Sequence, residues 1–386
     1  MPASPYLALS LFYLTAFGVL GVYLPYFNLY LEELGLTAVQ IGLVSALLPL
    51  SSAIVPTLGG LLSERVGRRR ILVIVTTLLS FGACAMLLGV TGFTGIALAV
   101  GAFSILRAPS VPLVDATAME ISDAGGPDYG RMRVWGSLAF IVMALATGPV
   151  VGAWGERAVL HTMLAVLACG VGSTLLLPRD PAHRARAGPA GGLGRRIGEP
   201  HVLLFLAACV LSQASHGPYY VFFSIHLERA GYTPLAIGLL WAVAVGCEIL
   251  VMLRMRRILD RVGPLPVIAL SLVLAAARWA VCALTVHPLP IALSQTLHAA
   301  SFAAFHVAAV THTHRLFGER RRASGQAVYS SSTFGVGNIL GMPLSGLFHD
   351  RLGVQGLFGW AGAVALVGAA LTVAAARRRR SDDRGL

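Results

Sequence analysis

Apolar runs of about 20 residues, the length of a helix that crosses a ~30 Å hydrocarbon core, recur along nearly the whole chain. Their positions predict membrane-spanning helices near 8–30, 38–61, 70–91, 95–118, 131–153, 158–177, 202–227, 235–254, 265–286, 289–314, 323–348 and 354–376. The breaks between them are short, except for 178–200, which is rich in Arg, Gly and Pro and has the composition of a linker. The pattern predicts an all-α membrane protein of twelve transmembrane helices. An N-terminal six-helix half covers 1–178, a linker 179–200, a C-terminal six-helix half 201–376 and a basic tail 377–386.

Composition excludes a soluble fold. Of the 386 residues, 56% are hydrophobic and only 12% charged, with a mean hydropathy of +0.76, whereas soluble domains are about a quarter charged. The first run follows a stretch without a basic residue and is long enough to span, which predicts a retained helix rather than a cleaved signal peptide. Cys84, Cys169, Cys209, Cys247 and Cys282 all fall inside apolar runs and read as small core residues. No His, Cys and Asp grouping has metal-ligand spacing, so neither a metal nor another cofactor is expected.

Charge adds an orientation. The 29 basic residues are all Arg, and with a cytoplasmic N-terminus 24 of them fall in inward loops, linker and tail. Arg157, Arg229 and Arg351 lie outward, and Arg107 and Arg278 within spans. The positive-inside rule then predicts both termini in the cytoplasm. The net charge of +12 reflects topology and attraction to anionic inner-leaflet lipid, not nucleic-acid binding.

The chain also repeats itself. At an offset of 196 positions, Leu31, Glu32, Gly35, Thr37, Ile41, Gly42, Leu43 and Ala46 match Leu227, Glu228, Gly231, Thr233, Ile237, Gly238, Leu239 and Ala242. Glu64, Arg65, Val66 and Gly67 match Asp260, Arg261, Val262 and Gly263 at the same offset. Both copies start on the same side of the membrane, which predicts parallel repeats about an axis normal to the bilayer.

The loop after the second span reads Gly60-Leu-Leu-Ser-Glu64-Arg65-Val-Gly67-Arg68-Arg69. It resembles the signature of the major facilitator superfamily, with Glu in place of the usual Asp. The second copy keeps only the kernel Asp260-Arg261-Val-Gly263. The resemblance implies a gating loop at these positions, and a tight basic turn that fixes topology is the alternative. A narrower resemblance, to the phenylpropionate permease branch of proton-linked aromatic-acid importers, rests mainly on Ser215-His216-Gly217-Pro218-Tyr219-Tyr220, the surroundings of Glu248, Arg278-Trp279, and His298 to His306. Pro112 to Ala116 and Tyr129 to Ser137 fit the same branch. It implies a bacterial-type inner membrane, a small-molecule substrate, protons as partner, the proton gradient as energy source, and a monomer.

Ionisable groups inside spans are the candidates for chemistry, because a charge at mid-bilayer costs at least ~2.5 to 3.5 kcal/mol unless it faces a cavity or a partner. Arg107, His216, His298 and His306 lie in spans 4, 7 and 10, which the superfamily resemblance implies line a central cavity together with span 1. Arg107 reads either as a clamp for a substrate carboxylate or as a structural pairing. Glu248 and Arg278 on neighbouring spans read as a static ion pair or as a proton-exchanging pair. Asp115 is either a partner of Arg131 or Arg133 or a proton carrier. The three histidines are proton sites, substrate donors or simple interhelical bonds. Tyr23, Tyr26, Tyr219 and Tyr220 are pocket candidates, and Tyr30 reads as part of an interfacial belt.

These features predict a secondary transporter: there is no Walker A sequence and no nucleophile-base set, so no enzyme is expected. Within transport the reading is proton-coupled import of a small, aromatic carboxylate. The alternatives are a proton-linked sugar or nucleoside symporter, a multidrug exporter, and a non-transporting sensor on the same fold.

Overall fold

The computed structural model describes residues 4–178, 196–318 and 321–382, with the side chains of 64, 323 and 380–382 excepted. The linker over 179–195 and the last four residues of the tail therefore lie outside the described residues, as does the Glu64 side chain. Among the described residues, ten helices are long and apolar enough to cross a membrane. Helices satisfy every backbone group within their own segment, which the hydrocarbon interior demands.

In chain order the helices are α1 (Pro5–Glu33), α2 (Ala38–Val66), α3 (Arg69–Met86), α4 (Phe93–Arg107), α5 (Ser110–Asp123), α6 (Tyr129–Trp154) and α7 (Ala158–Leu175). There follow α8 (Pro200–Ser215), α9 (Gly217–Arg229), α10 (Pro234–Met252), α11 (Met255–Val262), α12 (Pro264–Leu284), α13 (Pro288–Thr296), α14 (Phe305–Phe317), α15 (Arg322–Ser330) and α16 (Asn338–Asp382). Several predicted spans are interrupted. Span 4 breaks at Ala108–Pro109 between α4 and α5, and span 7 at His216 between α8 and α9, where Pro218 offers no N–H to the helix. Two π-helical stretches, Ala299–Ala304 and Ser331–Gly337, divide the runs predicted as single helices at 289–314 and 323–348. Gly353, at φ 63°, interrupts α16.

The sequence repeat has a local structural counterpart. Gly35 and Gly231 both take left-handed φ, 78° and 88°. The two turns carry the same bonds: Leu36 N to Leu31 O at 3.2 Å and Tyr232 N to Leu227 O at 3.0 Å, Gly35 N to Glu32 O at 2.8 Å and Gly231 N to Glu228 O at 2.9 Å. Each is a Schellman motif, which needs a residue without Cβ at its left-handed position. A threonine then caps the next helix in both copies, Thr37 Oγ1 accepting from Gln40 N and Thr233 Oγ1 from Ala236 N, each at 3.3 Å.

The chain divides into two compact units, Met1–Ala185 with Ser224–Ala242, and Arg186–Phe223 with Val243–Leu386. In the first, α1 packs on α6 and α7, and α3 on α4 and α7. The stretch Ser224–Ala242 joins this unit through Arg229 Nε, which donates to Glu32 Oε1 at 2.9 Å, and through Tyr26, whose hydroxyl donates to Pro234 O at 3.0 Å. In the second unit α16 packs on α8 and α12, and α12 also meets α14 and the first π segment. The candidate site lies within this second unit.

Candidate functional site

The break between α8 and α9 leaves His216 at the end of α8 with no exposed surface. Its Nδ1 lies 2.9 Å from Ser212 O, an acceptor, so Nδ1 carries the hydrogen and Nε2 presents a lone pair when the ring is neutral. Nε2 is buried and finds no partner among the described residues. Around it stand Trp279 edge-on at 5.0 Å, Tyr220 at 6.0 Å and His298 at 6.0 Å between ring centroids.

Glu248 and Arg278 are brought to one place, but not into direct contact. The imidazole of His298 sits between them, with Nε2 2.9 Å from Glu248 Oε1 and Nδ1 2.7 Å from Arg278 Nη1. A guanidinium has only donors, so Nδ1 accepts and Nε2–H donates to the carboxylate, which fixes a neutral tautomer. The predicted pair is thus corrected to a chain of three groups. The estimated depths of Glu248 and Arg278 on their helices differ, and an imidazole fills the difference.

Arg278 is itself wholly buried. Its Nη2 donates to Gln295 Oε1 at 2.9 Å, and its Cζ lies 4.1 Å from the centre of the Tyr219 ring and 4.5 Å from that of Trp279. Cation–π contacts of this kind strengthen when water is excluded. Its Nε has no hydrogen-bond partner among the described residues. Tyr219 also donates to Gln295 Oε1 at 3.3 Å, and Phe302 stacks on His298 at 5.3 Å and 10°. The site therefore holds a fixed positive charge, a carboxylate, flat aromatic faces, and a buried donor and a buried acceptor without hydrogen-bond partners among the described residues.

His306 lies further along, its Nδ1 3.0 Å from the Tyr329 hydroxyl. The π turn over Ala299–Ala304 separates His298 from His306 and sets the phase between them. Phe302 lies in the stretch His298 to His306 that carries the narrower resemblance, whereas Tyr329 carries no sign in the sequence that sets it apart from ordinary helix residues. Gln295 was legible only as a polar residue in an apolar run.

The first unit contains the other predicted residues. Arg107, at the end of α4, donates from Nη2 to the carbonyl of Ala16 on α1. It borders a cavity of about 30 Å³ with Thr15, Thr77, Ser80 and Ser110, room for about one water rather than an aromatic ring. Tyr23 stacks on Phe27 at 4.6 Å, and its buried hydroxyl has no partner among the described residues. Tyr26 departs from its expected pocket role: its hydroxyl is committed to Ala144 O at 2.6 Å as well as to Pro234 O. Tyr30 is 3% exposed and faces Leu87 O, not an interfacial belt. Asp115 makes no ion pair with Arg131 or Arg133 among the described residues. It accepts from the hydroxyls of Tyr13 at 2.7 Å and Tyr129 at 3.2 Å, while Arg133 lies over the Phe17 ring at 3.7 Å. The phenols reach the carboxylate first.

In the signature loop, Gly67 takes φ 65° and closes α2 through its N–H to Ser63 O. Gly263 at φ 79° closes α11 in the same way, through Leu259 O. Gly60 lies within α2, and Arg65, Arg68, Asp260 and Arg261 are exposed. Arg69, the last residue of the signature, makes a firm contact among the described residues, a two-pronged pair with Glu120 at 3.0 and 3.2 Å.

Ten helices long and apolar enough to cross a membrane among the described residues, around a buried chain of charged groups, describe a polytopic membrane protein. The MFS_1-like family profile matches residues 6–360, and the chain belongs to that family of major facilitator transporters. It is 29% identical over 369 residues to a probable 3-phenylpropionic acid transporter of Escherichia coli (strain K12), covering 91% of this chain and 92% of that one. It is 25% identical over 287 residues to a maltose permease of Geobacillus stearothermophilus, covering 72% and 71%. Among solved structures, the nucleoside transporter NupG superposes with a TM-score of 0.82 at 20% identity over 98% of this chain and 99% of that one, a likeness of fold.

Proposed function

We propose that the protein is a secondary active transporter that imports a small aromatic carboxylate together with a proton, by alternating access. We take its helices as twelve spans in two parallel six-helix halves, counting the pieces either side of Gly353 separately and α13 with α14 as one, and place both termini in the cytoplasm. The observation that carries the reading is the buried chain Glu248–His298–Arg278.

Its charge balance couples the two cargoes. With Glu248 ionised, its negative charge offsets that of Arg278 through the imidazole. A proton on Glu248 leaves the guanidinium without a counter-charge in a low-dielectric interior, which a substrate carboxylate then supplies. The Tyr219 and Trp279 rings offer apolar faces beside the carboxylate position, and His216 Nε2 and Arg278 Nε–H offer further polar contacts. The similarity to the E. coli phenylpropionate relative supports the substrate class. Arg107, Tyr23, Tyr220 and His306 remain candidates for lining the route, and the signature loop for gating it.

The test is uptake by purified protein in vesicles with an acid-outside gradient. Arg278→Gln is expected to abolish uptake of phenylpropionate-class acids, and Glu248→Gln to retain binding while losing gradient-driven accumulation. Normal accumulation by Glu248→Gln would remove the coupling role. A sugar or nucleoside symporter is the second reading, supported by the buried amide pair Gln213 Nε2 to Asn338 Oδ1 at 3.0 Å and by the maltose permease relative. It predicts uptake of a neutral solute instead.

A further inference from the structure

The arginine-rich end of the second unit holds a cleft of about 740 Å³, framed by α11, α12, α14 and α16. Leu265 and Val373 contribute to an apolar wall, and His312, Arg315, Arg377 and Arg379 to a basic one. None of these three arginines forms an ion pair among the described residues. Like charges repel one another, and the cleft lining contains no Asp or Glu among the described residues, so an anionic ligand would relieve the repulsion.

His312 supplies an independent observation. It is 2% exposed, stands edge-on to Phe205 at 4.8 Å, and its Nδ1 is buried with no partner among the described residues. A buried polar atom without a partner is destabilising, and a bound ligand oxygen or hydrogen would relieve it. Guanidinium forks suit phosphate oxygens, and an imidazole N–H can add a further bond. The apolar wall beside the charges gives the hydrocarbon of an amphiphile a surface that a free ion cannot use. Basic pockets between membrane helices hold anionic headgroups for these reasons.

We propose that this cleft is a specific site for the phosphate headgroup of an anionic phospholipid. Arg315, Arg377 and Arg379 engage the phosphate, His312 Nδ1 contributes a bond, and the acyl chains lie along the Leu265 and Val373 side. The site goes beyond diffuse attraction of a basic tail to the bilayer, and it does not depend on the transport reading.

Native mass spectrometry of the full chain titrated with phosphatidylglycerol tests it, with phosphatidylcholine and inorganic phosphate as separate arms. One retained phosphatidylglycerol per chain is expected. The triple variant Arg315→Gln, Arg377→Gln, Arg379→Gln should weaken retention by about tenfold or more, since each arginine near a lipid surface contributes roughly 1 kcal/mol. A charge-matched control, Arg254→Gln, Arg256→Gln, Arg257→Gln, lies outside the cleft and should leave retention unchanged. Equal loss in the control, or equal retention of phosphatidylcholine, would overturn the site in favour of diffuse attraction. Displacement of the lipid by inorganic phosphate at millimolar concentration would overturn the lipid assignment. If the triple variant loses its thermal transition, His312→Phe and Arg315→Gln singly decide: each should reduce retention with the transition kept, and unchanged retention in both would sink the proposal.

Discussion

His298 turns a pair of opposite charges into a directional chain. Because Arg278 only donates and Glu248 accepts when ionised, the imidazole between them has a single neutral arrangement. Arg278 uses its planar fork on His298 and Gln295 at once while its face meets Tyr219 and Trp279. Lysine keeps the charge but has neither the fork nor the face. Arg278→Lys is therefore expected to reduce uptake of a carboxylate by about tenfold or more, on the ~1.5–3 kcal/mol contributed by a charge-assisted bond. Initial rates in vesicles check it, and wild-type rates would show that charge alone suffices. Tyr26 belongs to the same scale in the first unit. Tyr26→Phe removes the hydroxyl that serves Ala144 O and Pro234 O, and should lower stability by about 1 kcal/mol while leaving substrate affinity unchanged. Thermal unfolding in detergent and a binding titration separate the two effects. The buried charges were legible in the sequence because arginine, glutamate and histidine are rare in apolar runs. Their partners were not legible, since a partner depends on which side chain arrives first: for Asp115 two phenols did, and Arg133 went to a ring.

At the scale of elements, the breaks matter more than the helices. A π turn inserts an extra residue per turn and so rotates everything after it, which places His298 and His306 in different surroundings on what the hydropathy pattern presents as one span. No hydrophobic run reports such a rotation. The break at His216 falls at Gly217 and Pro218, within a run whose hydropathy reads as one span, and its consequence, an imidazole pinned by Ser212 with its other nitrogen unpartnered among the described residues, required the fold. Where α8 ends, it crosses α16 closely: a Cβ on Gly341 would stand 2.5 Å from Ala214 O and 2.8 Å from its Cα, and one on Gly217 would collide with the Gly341 backbone. Small residues permit this approach. Gly341→Ala is expected to destabilise the protein by about 1–3 kcal/mol, the usual cost of overpacking, and to disturb the site that α8 supports. A lowered melting temperature measures it, and a wild-type value would mean the two helices separate at little cost.

At the scale of the whole molecule, the proposed co-transport of one proton and one carboxylate in the same direction is electroneutral. Protonation of Glu248 at the acidic side and its release at the less acidic side drive net movement in that direction. Accumulation should therefore rise by up to about tenfold per pH unit of gradient, acid outside, and should not respond to a membrane potential imposed at equal pH. A radiolabelled acid in vesicles clamped with ionophores reads both, and accumulation driven by potential alone would exclude the one-to-one scheme.

The sequence by itself determined that the chain is helical and membrane-embedded, that it carries a repeated turn, and that a few ionisable groups must lie inside. Each of these follows from transfer free energies and local backbone preferences, which act over short stretches of chain. Tertiary structure decided the pairing: His298 between Glu248 and Arg278, Tyr26 bound to main chain, Tyr30 inside, and a basic cleft formed by residues from both sides of Gly353. Such contacts join positions far apart in sequence through helix breaks and rotations, and neither spacing nor hydropathy encodes them.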